Sequence, residues 1–292
     1  MSDVWVTGGT GLIGRALAER RRIVSLPRRA PRDGGPWWEP GVRVHDDGRS
    51  LRAVVHLAGE NVAGGRWTAG RMAEIVSSRV DGTRTLVDWL AARDSKPEVL
   101  IAASAVGFYG DRGDESVDEQ SPAGEGFLAD LCVRWEREAL RAEQAGIRVV
   151  CLRFGLVLAR GDGVLGSLEP LFRFGLGGRV GSGQQWFPWI HCDDAVGVIE
   201  WALERDQSRG AYNLAAPGLV RQAEFAKALG RALHRPAVLP TPAFALRAVL
   251  GRLADEGLLV GQRAIPERLQ SEGFRFRFDD LDPALADLYD GA

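Results

Sequence analysis

The stretch Val4-Trp5-Val6-Thr7-Gly8-Gly9-Thr10-Gly11-Leu12-Ile13-Gly14 opens with a β-branched and aromatic run and passes straight into a glycine-rich turn. Arg15 to Arg22 follows with helical character, so the chain begins strand, turn, helix. Within the turn, Gly9 to Gly14 matches G-x-G-x-x-G. One glycine allows the tight turn, another lets backbone approach a diphosphate, and the last lets helix pack against strand. The helix N-terminus then presents free N–H groups and the positive end of its dipole to phosphate. The strand before and the helix after distinguish a dinucleotide-binding turn from an ordinary glycine turn.

Working outward, Ile23–Leu26, Ala53–Ala58, Val99–Ala102 and Arg148–Arg153 read as strands. Ala53–Ala58 is apolar on both faces, as a buried parallel strand must be. Met72–Arg93 and Phe127–Ala145 have helical periodicity, the second ending at Gly146. Strands alternating with helices predict an α/β protein with a Rossmann-type, doubly wound parallel sheet. Residues 1–160 would form this core, completed by about 190–215. After residue 160 the texture changes. Gly161–Gly183 is glycine-rich and reads as irregular, Ala195–Leu203 as helix and Ala211–Leu214 as a last strand. Segments 161–189 and 216–292 are expected to form a smaller, mainly helical C-terminal lobe on the substrate side.

The second strand ends Leu26-Pro27-Arg28-Arg29, and no acid occurs between Glu19 and Asp33. An NAD site usually places a carboxylate there for the ribose 2′-hydroxyl. Two guanidiniums clamp a 2′-phosphate instead, so Arg28 and Arg29 point to NADP(H).

Composition limits the remaining classes. With 45% hydrophobic and 26% charged residues, the chain of 292 can bury a full α/β core. A net charge of −2 argues against a nucleic-acid partner, leaving a small-molecule substrate as the expectation. Cys132, Cys151 and Cys192 are scattered, so neither a disulfide framework nor a metal site is expected. The opening lacks a signal-peptide pattern, and no apolar run approaches the roughly 20 residues that span a bilayer. A soluble cytoplasmic protein is expected; its oligomeric state is left open.

Several stretches recur together in a known group. They are Thr7–Gly14, His56-Leu57-Ala58-Gly59-Glu60, Ser104–Gly110, Trp135-Glu136, Leu152–Gly155 and Trp189–Asp194, with Arg235-Pro236, Gly261-Gln262-Arg263 and Gly273-Phe274 in the tail. In that order they resemble the atypical short-chain dehydrogenase/reductase family called "epimerase family protein", over nearly the whole chain. The resemblance implies diphosphate contacts at Gly8, Thr10, Gly11, Leu12 and Ile13, and a 2′-phosphate contact at Arg28. It places Leu57, Ala58 and Gly59 along the adenine-ribose side, Ser104 at a substrate oxygen, and Gly155 to Val157 near the nicotinamide.

Extended dehydrogenases move protons through Tyr-x-x-x-Lys, where the lysine lowers the tyrosine pKa from one helix turn away. None of the three tyrosines here has lysine four residues later. Anchored on Glu136, the tyrosine and lysine positions fall on Leu128 and Cys132. Three groups are candidates for the missing chemistry. Tyr109 could act as an acid in the loop after the Ser104 strand, His191 as a general base or acid, and Glu60 as a ligand or base. Each also has a structural alternative: a packing tyrosine, a hydrogen-bonding histidine, a helix N-terminal acid. The expectation is therefore an NADP(H)-dependent oxidoreductase or epimerase-like enzyme, with a non-catalytic NADP(H)-binding redox sensor as the rival.

Overall fold

The computed structural model describes residues 3–32 and 34–290; Met1, Ser2, Asp33, Gly291 and Ala292 lie outside the described residues. The chain opens with β1 (Asp3–Thr7), α1 (Leu12–Arg20) and β2 (Val24–Leu26). A hairpin of β3 (Trp37–Glu39) and β4 (Arg43–His45) follows, then β5 (Leu51–His56), α2 (Ala69–Ala92) and β6 (Val99–Ala105). Next come β7 (Ser116–Val117), α3 (Phe127–Leu140), β8 (Arg148–Phe154), β9 (Leu156–Ala159), α4 (Gly163–Arg173) and β10 (Trp189–His191). The remainder is α5 (Cys192–Glu204), β11 (Gly210–Leu214), α6 (Gln222–Ala232), α7 (Ala243–Leu250), β12 (Arg263–Ala264), α8 (Glu267–Ser271) and α9 (Leu281–Tyr289).

Six strands form one parallel sheet in the order β11-β8-β6-β5-β1-β2. The strand order reverses between β1 and β5, so a crevice opens at the carboxyl ends of those strands. Side chains alternate across the sheet. Val4, Val6 and Val55 pack with Leu17 of α1 and with Val196 and Ile199 of α5. Trp5, Val54 and Leu100 face Leu86 and Leu90 of α2 and Ala139 of α3. Each buried valine, leucine or isoleucine among them stabilises the fold by about 1.5–3 kcal/mol relative to exposure. A separate cluster joins α4, α6 and α9 through Leu165, Phe172, Phe225, Leu229, Leu281 and Leu285.

One local expectation is corrected. Gly161–Gly183 is not irregular throughout, because α4 occupies Gly163–Arg173. Asp162 caps it, its carboxylate accepting from the Gly163 N–H, and Leu165 and Phe172 bury its inner face. Gly163, Gly166 and Pro170 mask that helix in the sequence. Between β2 and β5 the crossover is the β3–β4 hairpin. The Trp38 N–H donates to Pro27 O, and the Trp38 side chain is fully buried against the His56 ring. No helix among the described residues is long and apolar enough to cross a membrane.

Candidate functional site

The turn between β1 and α1 is built by close backbone approach. Gly8 has φ +72°, and a Cβ there would lie 2.9 Å from Ala58 N. At Gly14 a Cβ would lie 2.4 Å from Gly8 O and 2.6 Å from Gly9 Cα. Gly11 is the N-cap of α1, with no side-chain cap, and no acid lies in the first turn. The first N–H groups of α1 therefore face outward without a protein acceptor, a ready anion cradle. Behind the turn, Thr7 Oγ1 lies 2.6 Å from His56 Nδ1, and His56 Nε2 lies 2.9 Å from Thr83 Oγ1. Burial lowers the His56 pKa to about 4, with Arg79 adding to the effect, so the ring is neutral near pH 7.

This turn forms one wall of a cleft of about 280 Å³. Gly8, Gly11, Leu12, Ile13, Gly14 and Leu57 line it on one side, with Ser104, Leu128, Cys132 and Trp135 opposite. Thus seven of the sequence candidates, Ser104 among them, meet in one crevice. Leu128 and Cys132 come from successive turns of α3 and lie side by side in its wall. Burial, reinforced by Glu136, pushes the Cys132 thiol up to about 12. That leaves it protonated and a poor nucleophile at neutral pH.

Ser104 sits at the carboxyl end of β6 and donates to Glu136 Oε1 at 2.6 Å. Arg153 of β8 closes a bidentate pair with the same carboxylate at 2.8 and 2.9 Å. Its Nη1 donates to the Tyr109 hydroxyl, 2.9 Å away, and that hydroxyl donates to Asn213 Oδ1 at 2.7 Å. The Arg153 guanidinium also stacks 3.5 Å from the Phe108 ring centroid. The chain Ser104–Glu136–Arg153–Tyr109–Asn213 is buried along its whole length. With its proton engaged by Glu136, the Ser104 oxygen retains lone pairs that can accept from a ligand hydroxyl.

Tyr109 and His191 do not join the cleft. Tyr109 is fully buried, and burial pushes its phenol up to about 12 even with Arg153 alongside. His191 is the N-cap of α5: its Nδ1 accepts from the Asp193 N–H at 3.1 Å, which puts the ring proton on Nε2. That Nε2 lies 3.6 Å from Asp287, and the ring packs on Phe278 at 4.2 Å. Burial lowers the His191 pKa. Gly155 serves close packing, since a Cβ there would fall 2.3 Å from Pro188 O, while its neighbours Phe154 and Val157 reach the cleft.

Arg28, Arg29, Thr10, Ala58 and Gly59 are not among the residues lining the cleft. Arg28 is exposed at the end of β2, with Glu60 3.7 Å away; Arg29 is exposed beside it. Thr10 lies within the turn and its carbonyl oxygen accepts from Arg15; the Gly8 backbone approaches Ala58. Gly59 lies against Arg79, whose guanidinium would meet a Cβ there at 3.0 Å. Arg79 is the charged side chain among the residues lining the cleft. It donates to Glu60 O at 2.8 Å, lies over the Trp135 ring at 5.0 Å, and has no carboxylate within ion-pair distance among the described residues. Burial lowers its pKa to about 10, so it stays cationic. Arg79 was not among the sequence candidates, although it shares an α2 face with Ile75, Thr83 and Leu86, all buried. A cation on a buried helix face without an ion-pair partner among the described residues suits an anionic ligand.

A parallel sheet with a glycine turn at its switch point, and a cleft running from that turn to Ser104, defines a Rossmann-type protein of the short-chain dehydrogenase/reductase kind. The model of the NAD dependent epimerase/dehydratase family matches residues 42–215, more than half the chain. A second model, a domain of unknown function (DUF1731), matches residues 241–288. An epimerase family protein of Mycobacterium tuberculosis is 42% identical over 97% of this chain and 96% of its own length. The human epimerase family protein SDR39U1 is 37% identical over 98% of this chain and 99% of its own. The chain belongs to the NAD dependent epimerase/dehydratase family, in the group named epimerase family proteins.

Solved structures agree. The crystal structure of human SDR39U1 (isoform 2) with NADPH superposes with a TM-score of 0.89 at 34% identity, covering 99% of this chain and 100% of that one. The UDP-glucuronic acid 4-epimerase of Bacillus cereus, in complex with UDP-glucuronic acid and NAD, gives a TM-score of 0.78 at 17% identity, covering 99% of this chain and 98% of that one. That second likeness concerns the fold alone.

Proposed function

We propose that this protein is an NADP(H)-dependent oxidoreductase or epimerase-like enzyme acting on a small molecule without a Tyr-x-x-x-Lys relay. The observation that carries the proposal is the single cleft joining the glycine turn to Ser104. Bound there, NADP(H) would supply or accept a hydride. The α1 N-terminus and Arg79 would hold its phosphates, and Arg28 with Arg29 its 2′-phosphate. Leu57, Ala58 and Gly59 would border the ribose, and Phe154 to Val157 the nicotinamide end. Ser104 would accept from a substrate hydroxyl. The human relative crystallised with NADPH supports the choice of cofactor. Residues 161–189 and 216–290 would close the substrate side. The buried, unpaired cysteines fit a reducing cytoplasm.

One observation favours a second reading, a non-catalytic NADP(H) sensor. Tyr109, Glu136 and Arg153 spend their polar groups on one another, and the Cys132 thiol stays protonated. No acid or base among the described residues therefore lines the cleft apart from Arg79, Cys132 and Ser104. Two measurements separate the proposals. Calorimetry on stripped protein should give NADPH at least about tenfold tighter than NADH, a difference of about 1.4 kcal/mol, lost in Arg28→Ala. NADPH oxidation against aldehydes, ketones and nucleotide sugars should show turnover. Tight binding without turnover would establish the sensor, and no binding of either nucleotide would remove both readings.

A further inference from the structure

We propose that Glu60 is the ribose-reading acid of this site, delivered from the loop after β5 rather than from the end of β2, and that it moderates the preference for NADP over NAD. The inference rests on the cofactor reading above and deepens it. Its starting point is an asymmetric charge cluster. Glu60 Oε1 accepts from Arg71 Nη1 at 3.1 Å, while Glu60 Oε2 lies 3.7 Å from Arg28 Nη1. Arg71 is well anchored: it also meets Glu74 Oε2 at 3.1 Å and Asn61 O at 2.5 Å, and its side chain is 20% exposed. Arg28 is 62% exposed, and Glu60 is the partner it has among the described residues.

The two ends of Glu60 therefore respond differently to a ligand. A 2′-phosphate carries a charge near −2 and three acceptor oxygens, so it displaces the long Arg28–Glu60 contact. Glu60 itself stays, tied to Arg71, with its negative charge beside the phosphate. An NAD ribose has a hydroxyl at that position, which can donate to Glu60 Oε2. The same carboxylate thus opposes one cofactor and accepts from the other. Chiefly the Arg71 hydrogen bond, with the nearby Arg71 and Arg28 charges, holds the Glu60 pKa below the usual carboxylate range, so the group is anionic near neutrality. A region lacking the usual acid on its second strand still has one within reach of Arg28.

The test is calorimetric binding of NADPH and NADH to wild type, Glu60→Gln and Arg71→Gln. Glu60→Gln should tighten NADPH and weaken NADH, raising the ratio of their dissociation constants about threefold to fivefold, the range an exposed charge pair commands. Arg71→Gln frees Glu60 to swing onto Arg28, and should lower that ratio. In about 0.5 M salt both changes should shrink. A merely structural role would move both cofactors in the same direction, and that result, or an unchanged ratio in Glu60→Gln, overturns the proposal. If wild type binds NADH but shows no preference for NADPH, the cofactor reading fails by its own measure, whatever the variants do.

Discussion

The two walls of the cleft are made of opposite materials. One, from Gly8 to Gly14, works by having no side chains: backbone approaches backbone, and the uncapped start of α1 is left free for a ligand. The other, from β6, α3 and β8, shows the cleft Ser104, Leu128, Cys132 and Trp135, while the polar side chains behind it point at one another. A cofactor cradle can be written in backbone and stays recognisable across many chemistries. A catalytic wall depends on which side chain is left over once the internal bonds are made.

The sharpest way to break the contrast is to put a side chain where the first wall forbids one. Gly14→Val places a Cβ within 2.4 Å of Gly8 O and 2.6 Å of Gly9 Cα, and neither atom can turn aside. NADPH affinity should fall by at least about hundredfold, roughly 2.7 kcal/mol, and the melting temperature should drop with it. Gly59→Ala is the matched control: its Cβ meets the end of the Arg79 side chain, which can give way, so binding should change far less. Equal losses in the two variants would show that small size, not backbone approach, is what the turn requires.

On the other wall the largest expected effect is on stability. Arg153 and Glu136 are 6% and 9% exposed, so Arg153→Met leaves a buried carboxylate without its cation. That should cost about 3–5 kcal/mol in urea unfolding, and adding Glu136→Leu should restore a large part of it. Failure of the second change to restore anything would mean the network is held by packing rather than charge.

A comparable effect comes from pH. The folded His56 pKa, about 4, lies below its ordinary 6.5, so the unfolded chain binds the proton more readily. Stability is therefore complete above pH 6.5 and is lost as pH falls from about 6.5 toward 4, by about 3 kcal/mol at the low end. His56→Gln should flatten that part of the profile. An unchanged slope between those pH values would assign the acid sensitivity to other groups.

The same contrast explains what could be seen in the sequence. The glycine turn, the buried strands and Arg28 at the end of β2 are local, so neighbouring residues carry the signal. Ser104 came from the family resemblance, and the structure places it in β6 and in the cleft lining. Helix α4 was hidden by Gly163, Gly166 and Pro170, residues whose local preference loses to burial of Leu165 and Phe172. The β3–β4 hairpin was hidden because its long-range anchors, buried Trp38 and half-buried Val44, leave no periodic trace over so few residues. Tyr109, Glu136, Arg153 and Asn213 are far apart in the chain, and nothing local says that they satisfy one another. A tyrosine after a strand looks the same whether its hydroxyl faces a substrate or an arginine.

Tyr109→Phe puts that ambiguity to the smallest and most informative test. The change removes one hydroxyl, leaving Arg153 Nη1 without an acceptor and Asn213 Oδ1 without a donor. Loss of these bonds should cost about 1–3 kcal/mol, read as a lower urea midpoint at unchanged slope. Because the phenol is sealed from the cleft and held near 12, NADPH affinity and any turnover should stay within about twofold of wild type. A loss of turnover beyond about a hundredfold, with stability intact, would require the hydroxyl to reach the substrate. The second wall would then open during the reaction, and its inward-facing polar groups would be a resting arrangement rather than a finished one.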